Sequence, residues 1–169
     1  MKIPEHKVYY EQATRNILTR LKELNLTPEK YKQATELVVK FRNAFTSDEV
    51  KKATFITPDN DVWDLGYDSG GFCRVASISF AIAMDFHEWQ LMYIDKAQWV
   101  GGSHHWLQHV PTGKVFDITY DQFTVDDLKL PYHLGNKAVY GLSLQDEAHK
   151  FAKAVDLDLI KLLMENKSK

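Results

Sequence analysis

The chain has 169 residues, 44% hydrophobic and 26% charged, and its 21 Lys and Arg against 23 Asp and Glu leave a formal net charge of −2. That length predicts one domain, residues 1–169, with its own core, and the near-neutral balance without a Lys/Arg-rich run argues against nucleic-acid partners. No stretch nears the ~18 apolar residues of a membrane span, and a single cysteine, Cys73, excludes an intramolecular disulfide or a Cys-rich metal cage.

Met1–Gln12 carries no apolar segment of a secretory signal, so a cytoplasmic location is expected. From Val8 to Phe45 the pattern predicts a helical hairpin broken at Asn25-Leu26-Thr27-Pro28. Tyr9, Ala13, Ile17, Leu21 and Leu24 form the first apolar stripe. Thr27 is the expected N-cap of the second helix, with Pro28 at its first position and Glu29 in its first turn. Tyr31, Ala34, Val38 and Phe41 form its buried face, with Leu37 and Phe45 beside it. Loops are expected at Thr57–Asp61 and Asp68–Gly71.

A helix over Phe72–Phe86 follows, apolar almost all round and therefore buried on most sides. Three short strands are predicted next, at Trp89–Ile94, His104–Val110 and Val115–Tyr120. The last two form an antiparallel hairpin turning at Pro111-Thr112-Gly113. A C-terminal helix spans Leu144 to Glu165, burying Ala148, Phe151, Ala152, Val155, Leu159 and Leu162. Segregated helices and antiparallel strands make the fold class α+β.

Candidate chemistry begins at Cys73, which opens the central helix just after Gly70-Gly71. Uncapped N–H groups and the positive end of the helix dipole favour an anion there, and thiolate is the nucleophilic form of cysteine. His104 opens the second strand and is a candidate general base. Asp117 lies on the next strand, sharing a face with Thr119 and Asp121, and can orient an imidazole.

The order Gly71-Phe72-Cys73, then His104-x-Trp106, then Asp117-x-Thr119 resembles the transglutaminase-like branch of the papain-like cysteine enzymes. The runs His104–Gln108 and Phe116–Phe123 look closest to the small bacterial YunG-like family. The likeness covers about residues 66 to 123. It implies a papain-like core with a central helix against an antiparallel sheet, Cys73 as nucleophile, His104 as base and Asp117 as orienting acid. The implied activity is a hydrolase or acyltransferase of peptidase, amidase or deamidase type, working through a thioester on a peptide, protein or small amide. No cofactor is implied.

Alternatives remain open within this reading. A tight hairpin closed at Thr112-Gly113 sets Asp121, rather than Asp117, across from His104, and puts Asp117 roughly 13 Å along at ~3.3 Å per residue. A longer turn or a bulge reverses that. His105 replaces His104 if the strand slips by one residue. Tyr67, six before the cysteine, stands where the papain branch has an oxyanion-hole glutamine. Trp99 and Trp106 are core aromatics or walls of a cleft. A zinc site on Cys73, His104, His105, His109 and Asp117 is disfavoured, because His105 and His109 lie four apart on a strand and cannot chelate one ion. The rival from another class is a non-catalytic peptide- or protein-binding module on the same fold.

Overall fold

Thr27 and Pro28 organise the first third of the chain. In the computed structural model, which describes residues 5–55, 72–99, 101–124, 129–138 and 142–167, helix α1 spans Glu5–Lys22 and α2 spans Pro28–Phe45. Thr27 Oγ1 accepts the Lys30 N–H at 3.3 Å, while Pro28 sits where its missing N–H leaves no bond unmade. Ala13, Ile17, Leu21 and Leu24 are buried against Ala34, Leu37, Val38, Phe41 and Phe45; only Tyr9, at the outer end of the stripe, is exposed.

A helix that periodicity does not reveal, α3 (Asp48–Thr54), follows directly. At 7 residues it is too short to write a stripe, but Ser47 caps it through Val50 N, and Asp48 and Glu49 fill its first turn. The expected loops at Thr57–Asp61 and Asp68–Gly71, together with Tyr67, lie outside the described residues.

Helix α4 (Cys73–Met84) is the centre of the fold, and every residue from Val75 to Met84 is buried. It packs on the sheet on one side and against α2 and two C-terminal helices on the other, which explains its all-round apolarity. It ends at Met84, two residues before the expected Phe86, because Asp85 adopts φ 108° while its N–H still bonds to Ala81 O.

Strands β1 (Trp89–Ile94), β2 (His104–His109), β3 (Lys114–Phe116) and β4 (Asn136–Lys137) form one antiparallel sheet in the order β3-β2-β1-β4. The fold is α+β, helices packed against a small antiparallel sheet. Alternation along the strands gives the sheet two apolar faces. Trp89, Leu91, Leu107 and Phe116 belong to the main core around α4. Met92, Ile94 and Trp106 form a second cluster with Leu130, against which Trp99, Val115 and Tyr132 pack.

Two expectations need correction. The third strand is not Val115–Tyr120: it ends at Phe116, and Asp117, Thr119 and Asp121 do not share a strand face. Asp117 Oδ1 accepts the Thr119 N–H at 3.1 Å, a local side-chain bond that turns the backbone off the ladder. Asp121 instead opens a short helix, α5 (Asp121–Thr124). The C-terminal helix is likewise two, α6 (Leu142–Ala154) and α7 (Leu159–Lys167), separated where Asp156 takes φ 61°. The stripe from Ala148 to Leu159 stays buried across the break.

Arg42 holds the turn after β3 against the helical hairpin. Its guanidinium, 1% exposed, meets Asp121 in two bonds of 2.7 and 3.2 Å. It also donates to Ile118 O, Tyr10 O and Thr14 Oγ1, and lies 3.9 Å from the centroid of the Tyr10 ring. These five hydrogen bonds match the five donors of a guanidinium, and the Tyr10 ring lies against it as well. Truncating Arg42→Ala leaves Asp121 buried and uncompensated, so a loss of ~3–5 kcal/mol is expected in urea unfolding. A loss under 1 kcal/mol would mean that the turn is held by packing alone.

Candidate functional site

Cys73 is the first residue of α4 and is partly buried. The preceding Phe72 is itself buried, and among the described residues no side chain caps the helix. The first N–H groups of α4 are thus oriented towards the thiol's side of the helix without a side-chain acceptor, an arrangement that favours a negative sulfur.

His104 opens β2 opposite Ile94 and is fully buried. The chain reaches it through Gly102 at φ +98°, a conformation that glycine adopts without steric cost. The imidazole Nε2 lies 2.7 Å from Asp117 Oδ2, and the ring stacks beside Trp106 with centroids 6.1 Å apart. Asp117 is also buried, its Oδ1 taking the Thr119 N–H and, at 3.4 Å, the Thr119 hydroxyl. With Nε2 engaged by the carboxylate, Nδ1 is the ring nitrogen through which His104 can exchange a proton with the thiol.

The hairpin register explains how Asp117 gets there. His109 pairs with Lys114, so the loop is Val110–Gly113, longer than a two-residue turn. Continuing that register places position 117 across from Trp106, two residues from His104 rather than four. The turn after Phe116 then aims the carboxylate back along β2. Asp121 is paired with Arg42 instead, and the carboxylate bonded to His104 is that of Asp117. β2 keeps the unslipped register, with His105 across from Tyr93 and its ring 5.9 Å from the Tyr93 ring.

Both neighbouring imidazoles, His104 and His105, act on the ionisation of the sulfur. Burial raises the thiol pKa, but the polarity and charge of His104 and His105 outweigh it and bring the value from 9.0 down to about 5. For His104, burial works against the charged form, yet Asp117 first and Cys73 second raise its pKa to about 10. Between those limits the favoured state is thiolate beside imidazolium.

His109 stands at the other end of β2, its Nδ1 2.9 Å from Thr112 Oγ1 and its ring against Trp89; burial lowers its pKa. It takes no part in the cluster. Among the described residues no group of three or more His, Cys, Asp and Glu side chains is arranged to hold a metal ion. Trp106 is core, 1% exposed, and Trp99 folds over Gly101 so closely that a Cβ there would meet the indole at 2.3 Å.

Sequence reasoning missed Tyr132, on a 3-10 turn (Tyr132–Leu134), whose hydroxyl donates to Asp117 Oδ2 at 2.9 Å. No periodicity marks it, because a contact across 15 residues through a loop leaves no local pattern. Comparison with known proteins finds no matching family model, no matching curated protein and no matching solved structure.

The geometry predicts how the thiol titrates. Since its pKa is lowered, reactive thiolate should grow as pH rises through about 5, well below the ordinary 9.0. Alkylation by iodoacetamide, followed by intact mass, reads this without ambiguity because there is one cysteine. In His104→Ala, burial is opposed by His105 alone, and the inflection should lie at least ~2 pH units higher. An inflection that ignores His104→Ala would remove the imidazole as its cause.

Proposed function

We propose that the protein is a cysteine-dependent acyl-transfer enzyme built on a papain-like, transglutaminase-like core, with Cys73 as nucleophile, His104 as acid and base, and Asp117 as the residue that orients His104. The observation that carries this reading is the buried 2.7 Å His104–Asp117 bond set beside the one thiol, at the start of a buried helix. A buried imidazole–carboxylate pair costs desolvation energy, and packing would be served as well by apolar residues. Its use here is to hold a proton next to sulfur.

The chemistry runs in two steps. The Cys73 thiolate attacks an amide carbonyl, a C–S bond forms, and the oxyanion takes the Cys73 backbone N–H as one donor. His104 gives its Nδ1 proton to the departing amine as the C–N bond breaks, leaving a thioester. Water then attacks the thioester while His104 removes its proton, releasing a carboxylic acid and restoring the thiolate–imidazolium pair. Asp117 keeps the ring aligned and offsets its charge in both steps.

Incubation with p-nitrophenyl acetate tests the reading without knowledge of the natural substrate. A burst of nitrophenolate, one acetyl group added by mass, and its release by neutral hydroxylamine are expected. Cys73→Ala should abolish the burst with the far-UV spectrum intact, and His104→Ala should slow turnover by about 10²–10⁴-fold. A burst retained in Cys73→Ala, or turnover equal in wild type and His104→Ala, would sink the mechanism and favour the non-catalytic binding module.

A further inference from the structure

Asp117 Oδ2 receives two hydrogen bonds from different parts of the chain: His104 Nε2 at 2.7 Å and the Tyr132 hydroxyl at 2.9 Å. Nothing in the proposed chemistry requires the second. Yet its geometry is built with care. The segment carrying Tyr132 passes over the second apolar cluster to reach β4, on the outer edge of β1, where Asn136 and Lys137 pair with Tyr93 and Met92. On the way the Tyr132 ring meets the Trp106 ring edge-on, with centroids 5.2 Å apart. The Gly135 N–H closes the turn on Tyr132 O, and a Cβ at Gly135 would come within 2.2 Å of the Trp106 indole. Trp106 thus contacts both His104, stacked beside it, and Tyr132, the two donors to the carboxylate.

We propose that Tyr132 is a positioning residue that shares the Oδ2 charge with His104, holding the carboxylate in place while limiting how tightly it grips the imidazolium proton. The proposal rests on the reading of Cys73, His104 and Asp117 as a working site. A carboxylate bonded only to the imidazole would hold that proton strongly and make His104 a reluctant acid. A phenol donating to the same oxygen withdraws charge from that bond. Thr119 satisfies Oδ1 in parallel, so each carboxylate oxygen has a fixed donor besides any offered by the histidine.

The titratable groups facing this cluster come from several elements. Cys73 on α4 and His105 on β2 sit on the thiol side. Arg20 on α1 and Tyr120 act on the Tyr132 phenol, with opposite effects, from the other. Burial and the Asp117 charge push the phenol above its usual range, so it stays a donor throughout the titration of His104.

The test is the His104 pKa itself, followed by NMR of ring carbons in protein labelled with ¹³C-histidine and assigned with His104→Ala. Tyr132→Phe keeps the Trp106 contact and removes only the donor. The His104 pKa is expected to rise by ~0.5–1 pH unit. Replacement of Tyr132 by 3-fluorotyrosine, a stronger donor of nearly the same shape, should lower it. An unchanged or reduced His104 pKa in Tyr132→Phe, or a raised one with 3-fluorotyrosine, would overturn the proposal and leave Tyr132 as packing. If Tyr132→Phe fails to fold, the fluorinated protein alone decides the sign. No substrate enters this measurement, so an inactive Cys73 would not be confused with an inert Tyr132.

Discussion

The buried pair of Arg42 and Asp121 is the constraint on which the rest of the arrangement hangs. Two of its bonds fasten α5 and two others fasten backbone carbonyls on α1 and in the turn. The turn from Asp117 to Tyr120 has no ladder partner to hold it, since β3 stops at Phe116. Arg42 supplies the anchor that the sheet withholds. Because the guanidinium is a rigid fork with five donors, it can bind a carboxylate and several carbonyls together and so fix direction as well as distance. Through Arg42 the helical hairpin therefore holds the turn that follows Asp117.

A second opposition shapes the thiol. Burial alone would drive the sulfur towards its neutral form and the imidazole likewise. His104 and His105 outweigh the penalty on the sulfur, and Asp117 first, then Cys73, outweigh the penalty on the His104 ring. Among the described residues no side chain caps the start of α4, and the helix dipole there favours a negative sulfur. On the proposed reading this is how a partly buried nucleophile stays ionised at neutral pH, with Trp106 stacked beside the imidazole.

Elements whose packing is periodic were readable from residue order. The stripes of α1 and α2, the all-round apolarity of α4 and the runs of β1 and β2 state which residues leave water, and the structure buries most of them, Tyr9 and Tyr31 at the stripe ends excepted. Thr27-Pro28 marked a helix start through local chemistry that needs no partner. Ser47-Asp48-Glu49 carried the same kind of signal for α3 and could have been read. The extension of β3 to Tyr120 was a different error: alternating Phe116, Ile118 and Tyr120 satisfy a strand pattern, but an Asp two residues before a Thr writes a turn as readily. Two local rules conflicted, and the tertiary anchor at Arg42 decided between them.

The sequence by itself determined the α+β class, the single thiol at the head of a buried helix, and the antiparallel hairpin of β2 with β3, because each follows from burial periodicity or from local backbone chemistry. Tertiary structure alone decided which carboxylate meets His104, that Arg42 is buried, and that Tyr132 joins Asp117. Those contacts connect residues far apart in the chain, and a hairpin loop longer by two residues moves a carboxylate from one partner to another. Spacing along a strand cannot record the length of the turn that ends it, and so cannot say where the next side chain will arrive.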